Sequence, residues 1–332
     1  MANGFARICQ DVICFGIMVT VQFALVILLA FGGFPAGLGP ADGVALSLSR
    51  GRLMPALLLS PKGAWKAPTG PWAQLSSFGI DRLFENLIDK TIDQRLMEVS
   101  ARFLETTYLG SPLGEGGLPP DPDPLLRFDA VDCTTFVEQS MALALARSLQ
   151  DALYWLRRIR YLEGHIAYSR RKHFMMAQWI PVNQAEGFLR DITADLAGDD
   201  LQWAKKCINA EVWARRKADK PWPALLDAQV PDGCFRLPIL PLGRVLAHAR
   251  ELPSGTLVNI VREDFHSMPT RVTHQGLIVQ QGGHTFLRHA GRSGWGRVVD
   301  ENLERFVRRN QAYRKWPVNG FNFQRILPYQ EP

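Results

Sequence analysis

A chain of 332 residues with 47% hydrophobic and 21% charged content has the composition of a folded globular protein, long enough for one large domain or two small ones. That balance excludes a disordered or fibrous chain. A formal charge of +6 favours an anionic partner such as a membrane surface, a nucleic acid or a polyanionic wall, without choosing among them.

In chain order, residues 1–33 read as a signal peptide or membrane anchor. Val12 to Phe31 is an apolar run of twenty residues broken only by Thr20 and Gln22. That length matches the ~20 residues of a bilayer span better than the ~7 to 15 of a signal-peptide core, so an uncleaved anchor is favoured. Arg7 is the only basic side chain before Arg50, which gives the orientation little support. Residues 34–77, rich in Gly, Pro, Ala and Ser, read as a lead-in to one domain over 78–332.

The domain opens on a helical region, Ile80 to Thr107, with Leu83, Leu87, Ile92 and Leu96 at near-helical spacing. A Pro-rich loop ending at Pro124 follows. Asp132 is a natural N-cap for a helix carrying Val137, Met141, Leu145 and Leu149, which places Cys133 in its first turn on the buried stripe. A further helix is expected over Asp151 to Glu163, stopped at Gly164. The second half changes to short β-type runs at Thr256 to Val261, Thr273 to Gln280, Thr285 to His289 and Gly320 to Ile326. Helices first and strands later, without alternation, predict an α+β domain on an antiparallel sheet.

The first turn of a helix suits a reactive thiol. Free N–H groups and the helix dipole favour the thiolate and can lower a cysteine pKa from about 8.5 to roughly 3.5–7.5. Cys9 and Cys14 fall at the apolar segment; a bridge between Cys207 and Cys234 in an oxidising compartment would leave Cys133 free. The cysteine spacing carries no zinc signature. His274 and His289 lie on two runs joined by the turn at Gly282-Gly283, and a hairpin brings them to one end of the sheet. A thiol, an imidazole to take its proton and a group to orient that imidazole would form a hydrolytic set. From the residues alone the ordinary roles are slightly favoured, Cys133 as a small core residue, His274 as a hydrogen-bonded sheet histidine and His289 as a strand-end surface histidine, and His165, His173, His248, His266 and His284 are also available. The basic residues occur as short scattered clusters without a reader motif, so no nucleic-acid partner is expected.

A resemblance selects among these residues. Asp-Cys-Thr-Thr-Phe-Val-Glu at 132–138 resembles the signature of the bacterial N-acetylmuramoyl-L-alanine amidase-like family, within the NlpC-type papain-like cell-wall hydrolases. Tyr108 to Leu113, Gly164 to Phe174 with Trp179-Ile180, Ser254-Gly255-Thr256, Thr273 to Leu277 and Arg288 to Gly291 extend the likeness over roughly residues 80 to 328. It implies a papain-like fold, with Cys133 as nucleophile, His274 as general base and acid, and His289 as the orienting residue. It implies peptidoglycan or muropeptides as substrate, no metal or other cofactor, and a place in the periplasm or cell envelope. Tyr108, Arg170, His173 and Trp179 become candidates for the substrate pocket, arginine for a stem-peptide carboxylate and the aromatic rings for sugar or peptide faces.

The sequence departs from the pattern at Thr256, where relatives often carry aspartate, and at Gly291, where serine is frequent. Residues 195–232 read as an insertion. The resemblance favours cleavage between N-acetylmuramic acid and L-alanine. Cleavage between D-glutamate and the diamino acid, acyl transfer from the thioester, and a tethered wall-binding module remain alternatives.

Overall fold

The computed structural model describes residues 70–219, 225–226 and 229–328. The apolar run at 12–31, the boundary at 33 and most of the lead-in lie outside them, as does Trp222. Among the described residues no helix is long and apolar enough to cross a membrane.

Ser76 and Thr91 cap α1 (Ser77–Leu87) and α2 (Ile92–Ala101), each accepting a backbone N–H three residues on. The single helical region expected over 80–107 is therefore two helices, because the Thr91–Gln94 capping box starts a new one. Two short strands, β1 (Thr107–Tyr108) and β2 (Ala130–Val131), pair in parallel and lead into α3 (Cys133–Leu145). Asp132 caps α3 by accepting from Thr135 N at 2.8 Å, and Thr135 Oγ1 accepts from Asp132 N in return. The stripe drawn from Val137 to Leu149 ends at Leu145: Ala146 is extended, and Ser148 caps α4 (Leu149–Arg160).

The remaining elements are α5 (Ile180–Ala185), β3 (Leu189–Asp191), α6 (Thr193–Ala197), β4 (Gln202–Ile208), α7 (Ala210–Asp219), β5 (Gly233–Pro241), α8 (Val245–His248), β6 (Leu257–Arg262), β7 (Val272–Gln281), β8 (His284–Gly291), β9 (Arg297–Asn302), α9 (Leu303–Ala312) and β10 (Val318–Ile326). The strands form one mixed sheet in the order β2-β1-β9-β8-β7-β6-β10-β5-β4, with β3 also on β10. Apart from β1 with β2, the pairings are antiparallel. The expected α+β class holds, with more strands than the sequence pattern showed. The 195–232 segment contributes β4 and α7, and Cys207 lies opposite Cys234 in the β4–β5 ladder, joined to it by a disulfide.

Both faces of the sheet are covered. Leu257, Leu277, Ala290 and Val298 pack with Phe136, Val137 and Met141 of α3 on one face. Val258, Ile260, Ile278 and Leu287 pack with Leu303, Phe306 and Val307 of α9 on the other. A β-bulge decides which face His274 takes. Ile260 pairs with His274 but Val261 pairs with Val272, so one extra residue sits on β7 at Thr273. Val261 and Val272 therefore face α3, whereas Ile260 and His274 face α9.

Candidate active site

The β7–β8 hairpin brings the two histidines together. His274 Nε2 lies 2.8 Å from His289 Nδ1, and the rings stand edge to face. Gly276 makes this approach feasible, since a Cβ there would lie 2.8 Å from the Arg288 carbonyl and 3.0 Å from His289 Cβ. The Phe306 ring stacks on His274 and meets His289 edge-on.

His289 is buried and continues the chain outward. Its Nε2 lies 3.2 Å from Oε2 of Glu301, which also accepts from Trp295 Nε1 at 3.2 Å and Arg309 at 2.8 Å. Burial alone would raise the Glu301 carboxyl, but the hydrogen bonds from His289 and Arg309 and the charge of Arg309 outweigh it and hold the group below its ordinary range. An ionised Glu301 can only accept, so His289 donates its Nε2–H to it. That leaves Nδ1 of His289 to accept a hydrogen bond from His274 Nε2–H, and places the His274 lone pair on Nδ1. Burial, then the cost of placing a second positive charge against the His289 ring, and then the charges of Arg309 and Arg262, push His274 well below the usual histidine range, so its imidazole is neutral.

Cys133 is half-buried at the head of α3. The β7–β8 pairing ends at Leu277 with Arg288, and beyond that point Gln275 N–H donates to the Cys133 sulfur. The thiol thus meets the sheet beside His274 where two strands part. The low pKa expected from the helix terminus is reversed. Burial, and then the adjacent Asp132 carboxylate, push the thiol up to about 12 against the hydrogen bonds from Gln275 and Thr134. At rest the site holds a neutral thiol and a neutral imidazole.

The model of the N-acetylmuramoyl-L-alanine amidase-like family matches residues 98–313. The chain belongs to that family. A solved Legionella pneumophila protein is 26% identical over 76% of this chain and 94% of its own, with a TM-score of 0.67. An N-acetylmuramoyl-L-alanine amidase from Bacteroides uniformis is 21% identical over 71% of this chain and 98% of its own, with a TM-score of 0.55. A Bacteroides fragilis protein provisionally named a xylanase matches at 23% identity, 69% and 100% coverage and a TM-score of 0.54. The last two likenesses concern the fold alone. No curated protein matches.

Against this amidase-like frame, the departure at residue 291 has a local reason. A Cβ at Gly291 would lie 2.8 Å from the Trp295 ring and 3.1 Å from His289 Cε1, so glycine admits the indole that donates to Glu301. Glu301, Trp295 and Arg309 were not among the residues singled out from sequence. Their only sequence signal is position: they follow the His289 strand within one turn, one strand and one helix.

The four substrate candidates separate. Tyr108 lies with the thiol: burial, then the charges of Cys133 and Asp132, push its phenol up to about 12 against the opposing effect of Arg292. Arg170 pairs instead with Glu163 at 2.6 Å. His173 Nε2 lies 2.6 Å from the Tyr168 carbonyl, and burial pushes its pKa down to about 4. Trp179 is only 1% exposed and donates to Glu138 on α3, which pairs with Arg160 at 2.7 Å. Trp179 is thus a core side chain that anchors the helix carrying Cys133.

Proposed function

We propose that the protein is a cysteine-dependent peptidoglycan hydrolase of the papain-like, NlpC type, cutting the N-acetylmuramoyl-L-alanine amide through a thioester. The observation that carries this reading is the ordered chain Glu301–His289–His274, with the sulfur of Cys133 held by the backbone of the residue next to His274. Family membership supplies the substrate class.

In the first half-reaction the Cys133 sulfur attacks the amide carbonyl carbon as its proton passes to Nδ1 of His274. Backbone N–H groups at the head of α3 offer donors to the developing oxyanion. The tetrahedral intermediate collapses by breaking the C–N bond, and His274 returns the proton to the departing amine. In the second half-reaction His274 takes a proton from water, the resulting hydroxide attacks the thioester, and the C–S bond breaks with reprotonation of Cys133. Ionised Glu301 stabilises the imidazolium formed in each half through His289. The reading places the enzyme in the periplasm or cell envelope, delivered by the apolar N-terminal segment as a cleaved signal or an inner-membrane anchor, and assigns no cofactor.

The test is incubation of the protein with purified muropeptides beside Cys133→Ala, with products followed by mass spectrometry. Release of a stem peptide beginning with L-alanine, lost in the variant, supports the reading. Cleavage deeper in the stem moves the enzyme to the endopeptidases, and binding without cleavage by either protein leaves a wall-binding module.

A further inference from the structure

Beside His274 lies a cavity of about 230 Å³ whose wall carries three arginines, Arg262, Arg292 and Arg309, and no carboxylate. Their circumstances differ. Arg309 is engaged by Glu301. Arg262 donates through Nε to Thr273 Oγ1 at 3.0 Å and also to the Trp316 carbonyl, and its guanidinium lies over the Tyr313 and Trp316 rings. Arg292 is exposed and forms no hydrogen bond or ion pair with another described residue, although its charge acts on the Tyr108 phenol.

Arg292 follows directly on Gly291, the last residue of the strand that carries His289, and opens the turn toward β9. It lines the same cavity as His274, and the phenol it influences also senses the Cys133 sulfur. The guanidinium is therefore beside His274, with its donors unclaimed among the described residues. A guanidinium fork without a protein partner matches a carboxylate in geometry and charge, and two parallel N–H···O contacts orient it. With Arg309 compensated by Glu301, the positive charges of Arg262 and Arg292 still leave the cavity unfavourable to a cation and favourable to an anion.

We infer that this cavity is the subsite for a carboxylate of the substrate's acidic peptide, with Arg292 as its specificity-determining residue. The inference rests on the peptidoglycan reading above and assigns to Arg292 the role that sequence resemblance suggested for Arg170. Binding a carboxylate here would hold the peptide across the face of His274, which limits the poses available to the scissile amide.

The test uses the full chain carrying Cys133→Ala, with and without Arg292→Gln, and two N-acetylmuramoyl peptides that differ only in having their peptide carboxylates free or converted to carboxamides. Isothermal titration at low salt is expected to show the free-acid form binding roughly tenfold more tightly, as for one charge-assisted contact worth about 1.4 kcal/mol. Arg292→Gln is expected to bring that ratio close to one. Equal affinity for the two peptides before the substitution, an unchanged ratio after it, or no binding of either peptide overturns the inference. Cleavage of the same peptides by the unsubstituted enzyme is measured separately. A lost preference in an active enzyme and a retained preference in an inactive one therefore separate failure of the subsite from failure of the hydrolase reading.

Discussion

Nε2 of His274 and Nδ1 of His289 face each other at 2.8 Å across the β7–β8 hairpin, with ring planes 88° apart. Two imidazoles in this relation need one proton between them, and something must decide which ring supplies it. Glu301 decides it by occupying the far nitrogen of His289. The reactive lone pair on His274 is thus set by a carboxylate two hydrogen bonds away, held in turn by Trp295 and Arg309.

Glu301→Gln tests that relation. The amide keeps the shape of the carboxyl but removes the charge that fixes both tautomers. We expect kcat to fall by roughly 10²-fold with KM changed by less than about threefold, the behaviour of a positioning residue acting through the base. Loss of a nearby anion also disfavours the imidazolium, so the acid limb of the rate profile should move to lower pH. A stability loss with unchanged kcat and an unmoved limb, measured on the folded fraction, would leave Glu301 a structural residue only.

The neutral resting pair sets the pH profile of kcat/KM. His274 is held well below 6.5, so it stays unprotonated, and available as base, until the pH falls below that value. Cys133, raised to about 12, remains a thiol through neutrality and beyond. The expected profile rises below pH 6.5 and runs level through the ordinary thiol range near 8.5. A descending limb at pH 7–8 would indicate a thiolate–imidazolium pair instead.

Alkylation gives the same thiol an independent readout without substrate. With the pKa near 12, the thiolate fraction is small at neutral pH and grows about tenfold per pH unit. Chloroacetamide should therefore modify Cys133 at a rate that climbs steadily from pH 7 to 9. A rate already level at pH 7 would restore the low pKa expected from the helix terminus.

Much of this site was legible in sequence because it depends on local signals. Asp132, Cys133 and Thr135 form a cap that reads as a cap, and the Gly282-Gly283 turn joins two strands whose histidines meet. The bulge at Thr273 was not legible, because it changes the face of His274 without changing the residue pattern around it. Glu301 was hidden for a similar reason: a glutamate between Asp300 and Asn302 on a half-polar strand reads as solvated, yet only its tertiary partners make it a buried ion. The pKa of Cys133 was misjudged because the helix terminus is a local feature, whereas the burial that outweighs it comes from the whole fold.

Glu138 predicts a stability effect in the helix that carries Cys133. Its carboxylate accepts from Arg160 through Oε2 and from the Trp179 indole through Oε1, with all three residues buried. Glu138→Gln leaves the guanidinium buried without its counter-charge, which costs about 3–5 kcal/mol. Urea denaturation should show a lower midpoint at nearly unchanged slope, while Glu163→Gln, at an exposed pair with Arg170, should shift stability by less than about 1 kcal/mol. Equal shifts in the two variants would refute the anchoring role of the Glu138 pair.

The Cys207–Cys234 bridge predicts a redox-dependent stability that is separable from catalysis. It links β4 to β5 at the far edge of the sheet, in a strand order that places β7 and β8 several positions away, and closes a segment of 27 residues in sequence separation. Chain-entropy reasoning gives a loop of that size about 3–4 kcal/mol of stabilisation, acting mainly on the unfolded chain. Replacing both cysteines by alanine should lower the urea midpoint by that order, and dithiothreitol should do the same to the unsubstituted protein but not to the variant. Because Cys133 is untouched, kcat on muropeptides under native conditions should stay within about twofold; a large loss would mean that the β4–β5 edge supports the site directly.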